Sequence, residues 1–265
     1  MLETNPLSIV YPNAKEQKPG QHKKIFIEYD CSQSEARIVA ALCKDLDWLR
    51  AFDERDLHTE NASFLFKVSV EKVLSDKRPT TETYRYKGKR VGHGTHYLMG
   101  PGQMSEIIKS PFGEAKKLME RYYIKYPLLR PWQNRVMQQI DKTRIIRTCY
   151  GRCIQFFGPI NDNVYREAIA AEPQSTSVSY INEGLIRCWK EIPMFDFRLQ
   201  VHDSLLVAED NEVSAVERQA RRVKELVEHE IDVQGVKLMI PLEFKIGYSW
   251  GQMEKVKNVA DIERA

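Results

Sequence analysis

No run of apolar residues in this 265-residue chain approaches the roughly 20 needed to span a bilayer, so no membrane segment is expected. The opening stretch, MLETNPLSIVYPNAKEQKPGQ, has no basic segment leading into an apolar one and does not read as a signal peptide. Cysteine is sparse and odd in number: Cys31, Cys43, Cys149, Cys153 and Cys188 suggest no disulfide framework, and reduced thiols in an intracellular protein are expected. Cys149-x3-Cys153 has no second Cys/His pair at zinc-ligand spacing, which excludes the usual structural zinc site. Internal repeats and low-complexity tracts are absent. Charge of one sign is also lacking, because the net value of +3 is too small to name a partner.

What is present says more. With 42% hydrophobic residues the chain can bury a sizeable core, as one large domain or two interleaved subdomains. From Lys77 to Arg152 there are 17 Lys/Arg against 5 Asp/Glu, and elsewhere 23 against 32. A basic middle between acidic flanks suits a chain that grips a polyanion with one part and does metal chemistry with another. A solvated basic helical face is the plainer alternative.

Residues 1–22, with Pro6, Pro12, Pro19 and Gly20, read as an irregular arm. Lys24 to Asp30 reads as a strand. A helix follows at once, carried by Val39, Leu42, Cys43, Leu46 and Leu49, with Ser32-x-x-Glu35 as a capping box at its start. Residues 56–74 and 112–142 are mainly helical, 145–158 a hairpin, and 163–190 one long helix disturbed by Pro173. Phe197 to Val207 reads as two strands meeting at His202-Asp203. Val213, Val216, Ala220, Val223, Val227 and Ile231 mark an amphipathic helix, and Lys237 to Phe244 a last strand, with Gly247 to Gly251 closing the core. The fold class is α+β, helices against a small antiparallel sheet.

Two features carry chemistry. Asp30 and Asp203 each lie at the end of a short apolar run. If the fold sets the two strands side by side, these carboxylates could share the two divalent ions, about 3.5–4 Å apart, that phosphoryl transfer to a hydroxyl uses. Taken singly, an Asp after a strand is usually a turn former or helix cap. The second feature is Arg85-x3-Lys89-x3-His93-x3-Tyr97, one slowly drifting helical face ~18 Å long. Arg85, Lys87, Lys89 and Arg90 crowd the N-terminal half, where they oppose the helix dipole unless an anion binds, and a triphosphate fits. Gly88, Gly92 and Gly94 each weaken a helix by roughly 1 kcal/mol, which suggests a moving element. A basic, glycine-rich surface loop is the alternative.

Here the residues become specific. Asp30-Cys31-Ser32-Gln33-Ser34-Glu35-Ala36-Arg37 resembles motif A of the family A DNA polymerases, Arg85-x3-Lys89-x3-His93-x3-Tyr97 resembles motif B, and Gln200-Val201-His202-Asp203 resembles motif C. Asp56-Leu57-His58-Thr59, Arg166-x7-Gln174-Ser175-Thr176, and Pro241-Leu242 through Gly247-x2-Trp250-Gly251 resemble three further family segments, in the family's order.

The resemblance implies a palm sheet with packed helices and a mainly helical fingers subdomain, divided as palm 23–50, fingers 51–162 and palm 163–265. It implies template-directed addition of dNTP to a primer end on primer–template DNA, with two Mg²⁺ ions held by Asp30, Asp203 and the Cys31 carbonyl. Arg85 and Lys89 would bind the triphosphate, Lys89 also protonating the leaving pyrophosphate. Gln33, His93 and Tyr97 would line the nucleotide, and Glu35 would crowd the sugar 2′ position. Arg166, Gln174 and His202 would meet the DNA, with Arg37 supporting the site. His93, Leu98-Met99-Gly100, Ser204 and Ala170 depart from the usual pattern, and the His-Gly version of the helix resembles phage-type members. A cytoplasmic protein of a bacterial or phage-infected cell is therefore expected. About 22 residues precede the first strand, where the family carries a thumb and often an exonuclease domain. A fragment or split-polymerase half, with an upstream thumb or exonuclease polypeptide as partner, is the expectation. The alternatives are an inactive primer–template-binding remnant and a single-subunit RNA polymerase, against which Glu35 argues.

Overall fold

The computed structural model of the protein describes residues 24–256, so the expected arm over 1–22 lies outside the described residues. The chain forms two compact units. The first comprises 24–34, 177–231 and 239–256; the second comprises 35–176 and 232–238.

The first unit is built on a five-stranded antiparallel sheet in the order β4-β5-β1-β8-β9. Its strands are β1 (Lys24–Cys31), β4 (Phe197–Val201), β5 (Ser204–Asp210), β8 (Leu242–Ser249) and β9 (Gln252–Val256). β1 is central, and period-two alternation sorts its side chains between the two faces. Ile27, Tyr29 and Cys31 are fully buried on one face, and the Tyr29 ring meets Phe244 edge-on at 5.4 Å. On the other face, Phe26 clusters with Leu206, Ala208, Trp250 and Met253, and Glu28 and Asp30 follow it along the strand. Two further helices are α9 (Asp162–Glu191), whose second half belongs to this unit, and α10 (Val213–Val227). α10 buries Val216, Ala220, Val223 and Val227, as its periodicity predicts. Gly184 of α9 permits the close approach to Val227, since a Cβ there would lie 2.9 Å from both its methyls.

The expected strand from Lys237 to Phe244 is interrupted. β6 (Glu230–Val233) and β7 (Val236–Met239) form a separate hairpin, and β8 starts only after Ile240-Pro241. Gln234 and Gly235, both at positive φ, make its two-residue turn. Proline has no N–H for a ladder. The Tyr180 hydroxyl compensates locally, donating to the Ile240 carbonyl at 3.1 Å and accepting from the N–H groups of Ile240 and His229.

The second unit is mainly helical. It contains α1 (Ser34–Cys43, all but its first residue), α2 (Leu46–Glu54), α3 (Leu57–Phe66), α4 (Val70–Leu74), α5 (Tyr84–His96), α6 (Pro101–Ile107), α7 (Phe112–Lys125), α8 (Leu129–Thr143), a hairpin of β2 (Ile145–Arg147) and β3 (Cys153–Gln155), and the first half of α9. α9 runs through Pro173 without interruption. The single helix expected after β1 is two helices. Lys44 turns left-handed at φ 58°, and Asp45 starts α2 by accepting the Trp48 N–H. Residues 50 and 51 fall inside α2, whose Trp48 stacks on Tyr126 at 4.1 Å and abuts His96 and Tyr122. That aromatic packing ties α2 to the helical unit.

The glycines of α5 are explained by packing, not weakness. A Cβ at Gly88 would stand 3.0 Å from Ala62 of α3, and one at Gly92 would stand 3.0 Å from the Tyr122 ring of α7. At Gly94 it would meet Met104 and Met99. The helix is packed closely on two sides, against α3 and α7. Tyr122 is buried and its hydroxyl bonds His96 Nε2 at 2.8 Å. Burial, with the nearby imidazoles of His93 and His58, lowers the His96 pKa to about 3, so the ring stays neutral. Gln133 donates to the carbonyls of Thr95 and His96, which the end of α5 leaves unpaired.

Candidate active site

Asp30 is the seventh residue of β1, and Asp203 occupies the turn from β4 to β5. The register places Asp30 opposite Ser204 on one side and Glu243 on the other. Cys31 N–H donates to the Asp203 carbonyl at 3.1 Å. The turn is tight: His202 is left-handed at φ 53°, and Ser204 Oγ donates to the Val201 carbonyl at 3.0 Å. The two carboxylates, more than 170 residues apart, thus stand at the same end of adjacent central strands.

The electrostatics bear this out. Burial first, then the negative charge of Asp203, with Glu28 and Glu243 adding and Lys245 opposing, pushes the Asp30 pKa up to about 6. Lys245 pairs with Glu28 at 3.1 Å and Lys255 with Glu243 at 2.6 Å, so both nearby lysines already serve other carboxylates. Ser34 Oγ donates to Asp203 Oδ2 at 2.5 Å, and Ser177 Oγ donates to Ser34 Oγ at 2.8 Å. The Cys31 side chain is buried, and desolvation pushes its thiol well above the ordinary range, so it is no thiolate ligand. His202 is exposed beside the pair.

The donor set can be tested against a metal. Among the described residues no group of three or more His, Cys, Asp and Glu side chains gathers. Two carboxylates on an open sheet end suit a hard cation that keeps waters and takes its remaining oxygens from a substrate. The excess negative charge that raises Asp30 is the potential such a cation would relieve.

In the second unit, α5 opens with Thr83 capping the Tyr86 N–H. Arg85 is not free: Nε and Nη2 reach Asp56 at 3.1 and 3.2 Å, a bidentate pair. Asp56 also caps α3, accepting from the N–H groups of His58 and Thr59 and from Thr59 Oγ1. Burial would raise the Asp56 carboxyl, but the bonds from Arg85 and Thr59 outweigh it and hold the pKa below the usual range. Lys89 is exposed and, among the described residues, has no carboxylate within ion-pair distance. One turn on, His93 meets the Tyr97 ring edge-on at 5.1 Å. Crowding of its imidazole, helped by Arg90 and Lys89 and opposed by Glu35, lowers the His93 pKa. Tyr97 donates its hydroxyl to Glu35. Burial, then that carboxylate, pushes the phenol pKa up, so Tyr97 stays protonated as a donor.

Other expected residues fall variously. Both side chains of the expected capping box have partners outside it. α1 starts at Ser34, Ser32 Oγ donates to Glu243 at 3.0 Å, and Glu35 accepts from Tyr97. Gln33 is half-buried at φ 52° in the bend between β1 and α1. Arg37 is 4% exposed, paired with Asp53 at 2.8 Å and lying over the Phe52 ring, so it braces α1 against α2. Arg166 is half-buried and Gln174 exposed, eight residues apart on α9. Sequence reasoning missed Asp56 as the partner of Arg85, and Ser34 and Ser177 as partners of Asp203. The signal for the serines was small: hydroxyls at positions where each helix turns its buried side inward.

The match to the DNA polymerase family A model covers residues 15–252. The thermostable DNA polymerase I of Thermus thermophilus is 30% identical over 234 residues, 84% of this chain and 26% of the relative. DNA polymerase I of Helicobacter pylori strain J99 is 30% identical over 236 residues, 85% of this chain and 24% of the relative. The chain thus spans about a quarter of the curated relatives it matches. A solved structure, the POL domain of Pol1 from M. smegmatis in complex with DNA primer-template and dNTP, superposes with a TM-score of 0.72 over 85% of this chain and 40% of that one, at 24% identity. Its likeness supports the mixed fold of helices and antiparallel sheet, and with the family match over most of the sequence, this chain belongs to DNA polymerase family A.

Proposed function

We propose that this chain is the palm and fingers catalytic part of a DNA-directed DNA polymerase, adding dNTP to a primer 3′-OH. The observation that carries the reading is the strand register that sets Asp30 opposite Ser204 and beside Asp203. Two Mg²⁺ ions, when bound there, would supply Lewis-acid activation of the attacking hydroxyl and neutralise charge on the leaving group. Asp30, Asp203 and the Cys31 carbonyl are the residues that would hold them.

The remaining roles belong to this chain's own groups. Arg85 and Lys89 bind the triphosphate, and Lys89 holds the proton that the leaving pyrophosphate takes. Tyr97 and His93 present ring faces and edges to the nascent pair, beside Gln33. Glu35, fixed by the Tyr97 hydroxyl, occupies the space a ribose 2′-OH would need. Arg166, Gln174 and His202 meet primer–template DNA, where minor-groove readout suits an enzyme that must accept every base pair. Arg37 acts from behind, by holding α1.

The test is primer extension with Mg²⁺ and dNTPs, with and without an added upstream thumb or exonuclease polypeptide. Extension that disappears in Asp30→Asn and Asp203→Asn, while both variants still bind primer–template, is expected. Folded protein that extends nothing under either condition refutes the catalytic reading and leaves the inactive remnant. No helix among the described residues is long and apolar enough to cross a membrane.

A further inference from the structure

Ser34 and Ser177 are buried hydroxyls that the reading above does not use. Ser34 opens α1 just past β1, and Ser177 lies in the middle of α9; both belong to the first unit. Their hydrogens form a directed chain. Ser34 gives Asp203 Oδ2 the hydrogen of the 2.5 Å contact. The lone pairs of Ser34 are then free to receive the hydrogen of Ser177 at 2.8 Å. A hydroxyl chain ending on a carboxyl group is polarised along its length. A mid-helix serine ordinarily turns its hydrogen back to a carbonyl of its own helix or out to water. Ser177, 3% exposed, directs it to Ser34.

Asp203 lies in a turn whose backbone is fixed but whose short side chain could otherwise rotate. The contact with Ser34 holds Oδ2 and leaves Oδ1 as the oxygen available to a cation. We infer that Ser34, backed by Ser177, is a positioning residue that sets the Asp203 carboxylate in its cation-binding orientation before any cation arrives. This rests on the reading of Asp203 as a metal ligand. Preorganisation of that kind removes rotamer freedom that binding would otherwise have to freeze. The competing role is purely structural: the same bonds would merely satisfy two buried hydroxyls.

Terbium(III), a hard oxygen-seeking ion whose luminescence is sensitised by nearby Tyr and Trp, separates these roles in the metal-free full chain. Asp203→Asn tests the underlying reading and should abolish saturable binding. Ser34→Ala should weaken terbium binding by about tenfold, the lower end of what hydrogen-bond partners of metal ligands are worth. Ser34→Thr, which keeps the hydroxyl, should restore most of the affinity. Ser177→Ala should weaken binding less, and the double variant should be no weaker than Ser34→Ala, because Ser177 reaches Asp203 only through Ser34. In primer extension, Ser34→Ala should raise the half-saturating Mg²⁺ concentration by a similar factor and leave the KM for dNTP unchanged. Wild-type affinity in folded Ser34→Ala or Ser177→Ala, with loss in Asp203→Asn, overturns the positioning role alone. Unchanged binding in Asp203→Asn, or none in wild type, overturns the metal reading and the positioning role with it.

Discussion

Replacing Asp30 by Asn should make the metal-free protein more stable while removing its response to magnesium. The folded state raises this carboxyl from 3.8 to about 6, chiefly by burial and by the charge of Asp203. At ~1.4 kcal/mol per pH unit this corresponds to ~3 kcal/mol, and solvent screening of a part-buried group reduces it to ~1–2 kcal/mol. The sign follows from linkage. A carboxyl raised by folding favours the fold below its unfolded value, and that contribution is lost as pH rises through about 6. At pH 7.5 metal-free wild type therefore bears the full penalty of an ionised Asp30, whereas Asn bears none. Thermal unfolding in EDTA at pH 7.5 should show Asp30→Asn melting higher, by ~2–4 °C for each kcal/mol. The gain should shrink to a small fraction at pH 4, where the folded-state Asp30 is protonated, and should vanish only below 3.8. In millimolar Mg²⁺ the order should reverse, because only wild type gains from binding. A variant no more stable than wild type at pH 7.5, or one whose advantage is as large at pH 4 as at pH 7.5, would refute the electrostatic account of the pair.

Three further outcomes are expected. Gly92→Ala should destabilise the second unit by ~1–3 kcal/mol in denaturant titrations despite its better helix propensity, because the new methyl meets the buried Tyr122 ring at 3.0 Å; Gly102→Ala, with open space around its Cβ, should be neutral or stabilising, and equal effects at both sites would contradict the clamped α5. Tyr29→Phe should stabilise by ~1 kcal/mol, since its buried hydroxyl has no hydrogen-bond partner among the described residues, and a loss of that size instead would show that the hydroxyl is satisfied, by water for example. Glu35→Ala should raise ribonucleotide incorporation by on the order of tenfold, the worth of a single well-fitted contact; unchanged discrimination between dNTP and NTP would exclude the sugar-gate role.

The parts of this fold legible in the sequence are those set by local periodicity. Ile27 and Tyr29 alternate with Phe26 and Glu28, so β1 could be read directly. The 3.6-residue spacing from Val213 to Val227 gives α10 in the same way. Features decided by a single backbone angle were harder. Leu42, Cys43, Leu46 and Leu49 keep helical spacing across Lys44-Asp45, but the spacing is misleading there: Leu46 is exposed and α2 buries Trp48, Ala51 and Phe52 instead, so the break at Lys44 left no mark in the apolar pattern. Pro241 does announce the interruption before β8, but an apolar run on both sides conceals it. Features decided by distance were not legible at all. Glycine in α5 reads as weakness until Ala62 and Tyr122 are seen pressed against it. The candidate site divides along the same line. Asp30 and Asp203 stand out as carboxylates on apolar runs, whereas their serine partner and the Asp56 counter-ion of Arg85 depend on contacts many residues away in sequence.

The double engagement of Asp56 has a thermodynamic consequence for any polyanion arriving at α5. Such a ligand must exchange places with Asp56 on the Arg85 guanidinium, and exchanges of this kind are costly when they strand a charge. Here the displaced carboxylate keeps its three donors from His58 and Thr59 at the head of α3. Only an exposed ion pair is forfeited, worth ~0–1 kcal/mol. The arginine is therefore held by Asp56 without being locked there, and the toll on capture is small.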